Sequence, residues 1–254
     1  MNKRSLRRNN SGQVIVVTAL LLALILLSTA IYVIETEKAV PKAGNGEGNS
    51  FSEYTQSVRN TLISALANVS GGGSTGVLTS DLNQFNSAVV SHSYQAMVQM
   101  DYEPLNAFPY QDGFWISCGA DGNGVSSVYS NFAFNSSGFS GSSNLEYNVN
   151  ITSELKLTGY TSQFNDTSKQ ANLIVNVLNE GKPALAQNFT IYFENATNWM
   201  KEDTPSVNNF DNGTYSVSFN AEIGQLLDPL FVSVYCQDQR GITVGANVTC
   251  NSID

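Results

Sequence analysis

The segment from Gly72 to His92 carries residue types in the chain order of a serine hydrolase. Residues 72–76 read Gly-Gly-Ser-Thr-Gly, which matches the Gly-x-Ser-x-Gly motif, and Asp81 and His92 follow it. That motif activates a serine only when a buried strand precedes it and a helix follows it. A helical pattern precedes the serine here, so we interpret the match as a coincidence and predict no catalytic residue.

The turn at 121–124 and the single histidine are the candidates for metal chemistry. The turn reads Asp-Gly-Asn-Gly like the start of a calcium loop, but the stretch 126–132 lacks the bidentate acid that should end such a loop. Gly and Asn also supply the positive φ angles of a hairpin turn, which we predict instead. One histidine cannot build a histidine-based cluster. We therefore predict no metal site and no cofactor.

Three cysteines, Cys118, Cys236 and Cys250, allow one disulfide and leave one thiol. Cys118 has no nearby basic residue that would activate it as a nucleophile. Cys236 and Cys250 continue the apolar alternation of predicted strands, so burial in a core is at least as good an interpretation as a bridge. The sequence leaves their pairing open.

An aromatic cluster surrounds Pro104 and Pro109. Its members are Phe108, Tyr110, Phe114 and Trp115. Exposed together, these rings would form an adhesive patch, whereas packed inward they would cover the core of a hairpin. We favour the core.

The charge is strongly acidic and unevenly placed. The chain of 254 residues has 21 acidic and 12 basic residues, and four of the basic residues stand among the first eight positions. The rest therefore holds eight bases against all the acids, which excludes a nucleic-acid binder. With 13% charged residues the surface depends on Ser, Thr and Asn for its solubility.

An unbroken apolar run, Val14–Ile34, follows the basic N-terminus. As a helix it would span roughly 31 Å, enough to cross the hydrocarbon core of a bilayer. The basic residues on one side predict a cytoplasmic N-terminus, a single pass through the cell membrane, and an extracellular location for everything after about residue 35. Membrane lipid is thus a predicted partner.

The chain divides into five predicted segments. A basic cytoplasmic leader covers 1–12, a transmembrane helix 13–40, and a Gly-rich linker 41–50. A helix-plus-strand head occupies 51–145, and an antiparallel β-sandwich occupies 146–254. The predicted fold class is therefore membrane-anchored α+β.

Periodicity predicts the elements of the head. Apolar residues from Phe51 to Leu66 recur at helical spacing and stop at Gly71–Gly73. A second helical stripe runs from Asp81 to Met97. The segments 114–116 and 125–134 are rich in β-formers and flank the predicted turn, so they form a strand pair.

From Leu145 the apolar period becomes two. Alternation recurs in six predicted strands, around 155–157, 173–177, 189–193, 215–219, 230–234 and 242–248. Turn signals lie between them at 179–183, 211–213 and 239–241. This spacing is typical of an antiparallel sandwich.

Asn-x-Ser/Thr acceptors are numerous in the predicted extracellular part. They stand at Asn68, Asn135, Asn150, Asn165, Asn188, Asn195, Asn212 and Asn247. Each is a candidate site of N-glycosylation, although turn chemistry alone also favours Asn. We expect Asn150, Asn188 and Asn247, which share the polar parity of their strands, to face solvent.

The final 100 residues or so resemble prokaryotic immunoglobulin-like surface modules. The resemblance rests on 176–183, Asn-Val-Leu-Asn-Glu-Gly-Lys-Pro, and on 211–217, Asp-Asn-Gly-Thr-Tyr-Ser-Val. It implies an immunoglobulin-like sandwich that serves as a spacer or an adhesive stalk.

The first 35 residues or so resemble the class III signal of archaeal type IV pilin-like proteins. Basic residues, then Ser11-Gly12-Gln13, then the apolar helix carry this resemblance. It implies that a prepilin peptidase cuts between Gly12 and Gln13 and that the helix packs against copies of itself or other pilin-like subunits. Glycosylation machinery is a further implied partner.

Two other interpretations of the N-terminus remain open. The helix would be a plain anchor if no cleavage occurs, or the product would be secreted if a signal peptidase cuts after Ser28-Thr29-Ala30. The sequence thus predicts a non-enzymatic cell-surface protein, either a pilin-like filament subunit or a pilus-associated adhesive component. The alternative is a tethered or secreted immunoglobulin-like binding module that forms no filaments.

Overall fold

The computed structural model describes residues 46–92, 96–138, 141–165, 167–196, 198–223 and 229–252. These residues are mostly β-strand with two helices, as the sequence predicts at this level. The part of the chain from Tyr54 onward forms one compact unit. None of the helices described in these ranges is long and apolar enough to cross a membrane. The apolar run at 14–34 and the processing residues Gly12 and Gln13 lie outside the described residues.

Two helices precede twelve strands in the described ranges. The helices are α1 (Gly46–Ser70) and α2 (Gly76–His92). The strands are β1 (Ala96–Pro104), β2 (Phe114–Cys118), β3 (Asn123–Gly138), β4 (Gly141–Asn165), β5 (Ser168–Asn179), β6 (Lys182–Pro183), β7 (Ala186–Asn195), β8 (Asn198–Glu202), β9 (Ser206–Asn209), β10 (Thr214–Glu222), β11 (Leu230–Asp238) and β12 (Thr243–Ser252).

Helix α1 ends where the sequence predicts and begins earlier. It buries Val58, Leu62 and Leu66 and stops at Ser70, before Gly72 takes a φ of 99°. Its first residue is Gly46, so 46–50, predicted as linker, is helical. Extending an existing helix through a glycine costs about 1 kcal/mol relative to alanine, whereas a new helix must be nucleated.

The second predicted helix was too long. Helix α2 ends at His92, and Met97, which we placed on its stripe, belongs to strand β1. In β1 every second residue, Val98 and then Met100, is buried. The strand forms because β3 pairs with it along its whole length, a non-local contact that local periodicity does not reveal.

Strands β1 to β4 form the sheet of the head. The predicted pair β2 and β3 is confirmed, and β3 also pairs with β1 and, from Asn123 to Gly138, with β4. One face of this sheet packs its rings on α1, where Tyr54 stacks on Phe134 with ring centroids 5.6 Å apart.

Strand β4 pairs with different strands along its length. It pairs with β3 from Gly141 to Lys156 and with β5 from Ser153 to Asn165, so both partners flank it at residues 153–156. The predicted domain boundary between 145 and 146 therefore lies inside a continuous strand of 25 residues. The division into two domains at this point stays a prediction, but residues 145 and 146 are part of a strand and not of a linker.

All six strands that alternation predicts after residue 150 are present. They form two runs with the orders β4-β5-β10-β9 and β12-β11-β7-β8, joined where β12 meets β4 in parallel at Asn251 and Ser252. Strands β8 and β9 were missed. Both are short, β9 is exposed at every position, and they pair only along the edges of longer strands.

The two runs share one hydrophobic core. It includes Leu173 and Val175 from the first run and Val232 and Val234 from the second, all at most 1% exposed. Tyr215 is buried among them, and its hydroxyl accepts from Ala186 N at 2.6 Å and donates to Ala186 O at 3.1 Å.

The turn between β2 and β3 fills the gap between β4 and β12. Gly122 N donates to Asn247 O at 2.8 Å, and Gly122 O accepts from Leu157 N at 2.7 Å. Gly119 O accepts from Asn247 N at 3.0 Å. The turn thus connects the head to both sheets of the sandwich through backbone hydrogen bonds.

A buried carboxylate, that of Asp238, joins the β11–β12 turn to strand β4. Asp238 is fully buried, and its oxygens accept from Ser153 Oγ, from the backbone N of Arg240 and Ile242, and from Arg240 Nε at 2.7 Å. The Arg240 guanidinium also donates to Glu180 and to Thr152 O. The network joins the β11–β12 turn to the middle of β4.

Substituting Arg240 should therefore destabilise the protein strongly. Arg240→Ala leaves the buried Asp238 charge without its partner, and we expect a loss of about 3–5 kcal/mol in the free energy of unfolding. Chemical denaturation followed by circular dichroism measures it. Arg59→Ala is the matched control, since Arg59 meets Glu180 at 3.6 Å with both side chains more than a third exposed, and should cost under about 1 kcal/mol. Equal losses would contradict the role of the buried pair.

Gly122→Ala should lower the stability of the protein by more than the cost of placing alanine at a positive φ. Gly122 has a φ of 82°, and a Cβ there would overlap the Leu157 carbonyl. Gly181 has a φ of 74° with open space around it, so Gly181→Ala isolates the backbone cost. We expect roughly 1–2 kcal/mol for Gly181→Ala and clearly more for Gly122→Ala, measured by thermal unfolding. Similar values would mean that the turn is not tightly inserted.

Candidate functional site

The hydrolase-like residues lie in the helical hairpin. Ser74 is exposed in the loop between α1 and α2, where Gly76 N donates to its Oγ at 3.4 Å. Asp81 is half-buried on α2, and His92 is the last residue of that helix, with a side chain outside the described part. A helix rather than a strand precedes Ser74, so the geometry of a nucleophile elbow is missing.

The predicted hairpin between β2 and β3 is confirmed, but its turn lies at 119–122, because Asn123 and Gly124 already pair with β4 as part of β3. Asn123 Nδ2 donates to Asp121 Oδ2 at 3.0 Å, and this hydrogen bond lowers the pKa of the Asp121 carboxyl. Within the described ranges, no group of three His, Cys, Asp or Glu side chains could hold a metal ion.

The structure decides the state of the cysteines. All three are free, with Cys118 exposed and the other two buried in the core. Cys236 pairs with Val244 on the neighbouring strand, six residues before Cys250. At about 3.4 Å per residue the two thiols lie roughly 20 Å apart along the strand, too far for a bridge. Burial raises the pKa of each buried thiol to about 12.

The aromatic cluster of the 105–115 region is divided. Phe114 is buried, and Tyr110 packs beside Trp115 and Tyr129 while its hydroxyl meets Ser127 Oγ at 2.9 Å. The predicted core position is confirmed for Phe114, whereas Tyr110 and Trp115 are half-buried and pack against each other. It is wrong for Phe108, which is fully exposed at the tip of the loop.

An open groove of about 450 Å³ crosses strands β1, β3 and β4. Asp101 and Glu146 are the cross-strand neighbours of Ala133, whose small side chain leaves room between them. The lining residues are Asp101, Tyr102, Glu103, Asn131, Phe132, Ala133, Glu146, Tyr147 and Asn148. The carboxylates of Asp101, Glu103 and Glu146 make the binding of an anion in this groove unfavourable. Sequence reasoning missed this groove because it missed β1.

The glycosylation candidates differ in exposure. Six are exposed: Asn68, Asn135, Asn150, Asn165, Asn188 and Asn212. Asn195 and Asn247 are half-buried. The expectation that Asn247 faces open solvent was wrong, because the β2–β3 turn binds its backbone and Cys118 Sγ donates to its Oδ1 at 3.4 Å. The alternation of apolar and polar residues shows which face of a strand is polar, but it does not show whether another segment packs on that face.

The outer face of β8, β7 and β11 exposes aromatic rings. Trp199 is 49% exposed, Phe231 43% and Tyr235 37%, and Tyr192 meets Tyr235 edge-on with ring centroids 6.1 Å apart. Single exposed apolar side chains are ordinary, but several on one sheet face are a candidate contact surface. The alternation that predicts β11 also predicts these outward rings, although we did not single them out.

Comparisons with protein-family models, with curated proteins and with solved structures find no match for this chain.

Cys118 should be the thiol that reacts in the folded protein. At pH 8 we expect iodoacetamide to alkylate Cys118, because it is exposed, and to spare Cys236 and Cys250, whose burial keeps them protonated. Peptide mass spectrometry before and after unfolding in guanidinium measures this. The unfolded sample is the control, in which all three thiols should react. Native labelling of either core cysteine would contradict the described core.

Proposed function

We propose that this chain is a non-enzymatic cell-surface protein, either a pilin-like filament subunit or a pilus-associated adhesive component. Residues 13–40 anchor it in the cell membrane, and the chain beyond about residue 35 faces the outside. The folded part serves as a stalk and contact module. The strand order of the sandwich is the main structural support for this proposal.

That order supports an immunoglobulin-like fold. Taking β4, β5, β7, β8, β9, β10, β11 and β12 as strands A, B, C, C′, D, E, F and G gives one run A-B-E-D and a second run G-F-C-C′. Immunoglobulin domains have the same two sheets. The inter-sheet disulfide of antibody domains is replaced here by apolar packing and the Tyr215 hydrogen bonds. Immunoglobulin-like modules occur widely as spacers and binding units, which supports a structural or adhesive role by analogy of fold.

The continuous β4 strand favours a stalk role. Because β4 hydrogen-bonds to β3 in the head and to β5 in the sandwich, force applied along the chain passes through backbone ladders instead of a flexible linker. The outward rings of Trp199, Phe231 and Tyr235 favour a contact role. Aromatic side chains contribute much of the energy in many binding surfaces.

The alternative is an immunoglobulin-like binding module that is tethered or secreted and does not assemble. The two proposals differ in what the N-terminal helix does. A filament subunit needs the helix to pack against copies of itself, whereas a module needs it as an anchor or loses it.

The mature N-terminus of the protein from its native membrane tests the proposal. We expect it to begin at Gln13, and we expect Gly12→Val to accumulate a precursor that retains the twelve-residue leader. Ser11→Ala is the control variant and should still be processed. Terminal sequencing or intact mass provides the measurement. The filament proposal fails if the chain starts at Ile31 or keeps residue 2, or if Gly12→Val leaves processing unchanged.

Filaments themselves provide the second test of the same proposal. Material sheared from cells that carry the wild-type chain should contain filaments labelled by an antibody to the folded part, as seen by electron microscopy. Cells with Gly12→Val should lack them. Processing at Gln13 without labelled filaments would favour the non-assembling alternative.

A further inference from the structure

The turn between β9 and β10 presents an exposed phenylalanine beside an Asn-x-Thr acceptor. Phe210 is 51% exposed, and Asn212-Gly213-Thr214 begins two residues later. We propose that Asn212 carries an N-linked oligosaccharide whose first sugar packs on the Phe210 ring. This inference rests on the proposed cell-surface location and goes further by naming one modified residue and the contact that its sugar makes.

The ladder brings Phe210 and Thr214 to the same side of the hairpin. Phe210 N donates to Thr214 O at 3.1 Å, which continues the register that pairs Asn209 with Tyr215. Because side chains alternate along a strand, Phe210 and Thr214 lie on the face opposite the buried Tyr215 ring. Asn212 stands in the middle of the three-residue loop between them. A sugar attached there reaches both the ring and the threonine methyl group.

The loop holds this arrangement rigidly. Asp211 and Gly213 take φ angles of 59° and 80°, and Asp211 N donates to Asn209 Oδ1 at 2.8 Å. Gly213 O accepts from Val177 N at 2.9 Å, which fixes the loop to β5. A platform that is already ordered loses little entropy when a sugar packs on it.

The Asn212 amide is oriented for attachment. Its Oδ1 accepts from Thr214 N at 3.0 Å, and in the part of the chain that the structure describes its Nδ2 donates to no protein acceptor. Asn165 has the same arrangement, with Thr167 N donating to its Oδ1 at 2.9 Å, but two other acceptors differ. Asn188 Nδ2 donates to Gln237 Oε1 at 2.8 Å, and Asn195 Nδ2 donates to Glu222 O at 3.2 Å. Glycosylation at these two positions would break a hydrogen bond, whereas at Asn212 it breaks none.

The reaction is a glycosyl transfer without redox change. The donor is an oligosaccharide linked through phosphate to a polyisoprenoid lipid. The Asn212 Nδ2–C1 bond forms, the bond from C1 to the phosphate oxygen breaks, and the lipid phosphate leaves with the electron pair. The amide proton passes to a base of the transferase. The apolar C–H face of a pyranose then meets the negative face of the phenyl ring.

One tryptic peptide isolates the site. Cleavage after Lys201 and Arg240 gives the peptide 202–240, and Asn212 is the single acceptor within it. In protein purified from its native membrane, we expect this peptide to carry added hexose or hexosamine mass that fragmentation places on Asn212. Chemical deglycosylation of the same sample is the control. A peptide that is always bare overturns the proposal.

Surface labelling separates the two possible failures. Intact cells are treated with a membrane-impermeant amine reagent, and labelling is read at Lys156, which is exposed and lies outside the 202–240 peptide. A labelled Lys156 with a bare 202–240 peptide from unlabelled cells would reject the glycan and leave the cell-surface function standing. A Lys156 that is unlabelled in intact cells and becomes labelled after lysis would reject both.

A mutant cycle tests the contact with the ring. Phe210→Ala is made with Asn212 intact and in the Asn212→Gln background, and urea unfolding is followed by fluorescence. We expect Phe210→Ala to raise the unfolding equilibrium constant about threefold to tenfold more when the glycan is present. Phe210→Tyr should retain the effect. Phe108→Ala is the matched control, since Phe108 is fully exposed and far in sequence from any acceptor. Equal effects of Phe210→Ala in both backgrounds overturn the stacking contact.

Discussion

A fully buried carboxylate must be matched by donors, and Asp238 imposes this constraint on the junction of the molecule. The donors that its oxygens require come from the β11–β12 turn, from Arg240 and from Ser153 on β4. Meeting this requirement fixes the turn and places it against β4 at the residues where that strand changes partner, from β3 to β5. The same part of β4 carries Leu157, whose backbone N donates to Gly122 O in the β2–β3 turn. A buried charge pair adds little to the free energy of unfolding while it is intact. Removing one partner costs several kcal/mol, because the remaining charge is then buried and unpaired.

Head and sandwich form one compact unit from Tyr54 onward, and the continuous β4 strand runs through both. Most two-domain chains change domain at an exposed linker, where relative motion is the default. In this chain the change occurs in the middle of a strand and is reinforced by Gly122, whose backbone bonds to Leu157 on one side and Asn247 on the other. The junction between head and sandwich is therefore held by backbone hydrogen bonds on both sides of Gly122.

The surface is acidic yet low in charge, and its exposed rings are not scattered uniformly. Trp199, Phe231 and Tyr235 share one sheet face, Phe108 stands alone at a loop tip, and Phe210 lies beside an Asn-x-Thr motif. The first group is a candidate contact surface, and Phe210 is the residue on which we propose that a sugar packs. The two core cysteines show the opposite case, since residues that suggest a bridge in the sequence behave as small apolar side chains.

Local sequence patterns predicted the order of two helices followed by strands, the end of α1 at Ser70, the β2–β3 hairpin and the six long strands, because each depends on local period and turn chemistry. Tertiary structure alone decided the features that depend on distant partners. Strand β1 forms because it pairs with β3, and strands β8 and β9 form because they pair with the edges of longer strands. Asn247 is covered by a turn more than 100 residues away in the chain. The groove beside Ala133 and the free state of Cys236 and Cys250 follow from the same register. Alternation specifies which side of a strand is apolar, but register and pairing are set by contacts between segments remote in sequence, and these carry no local signature.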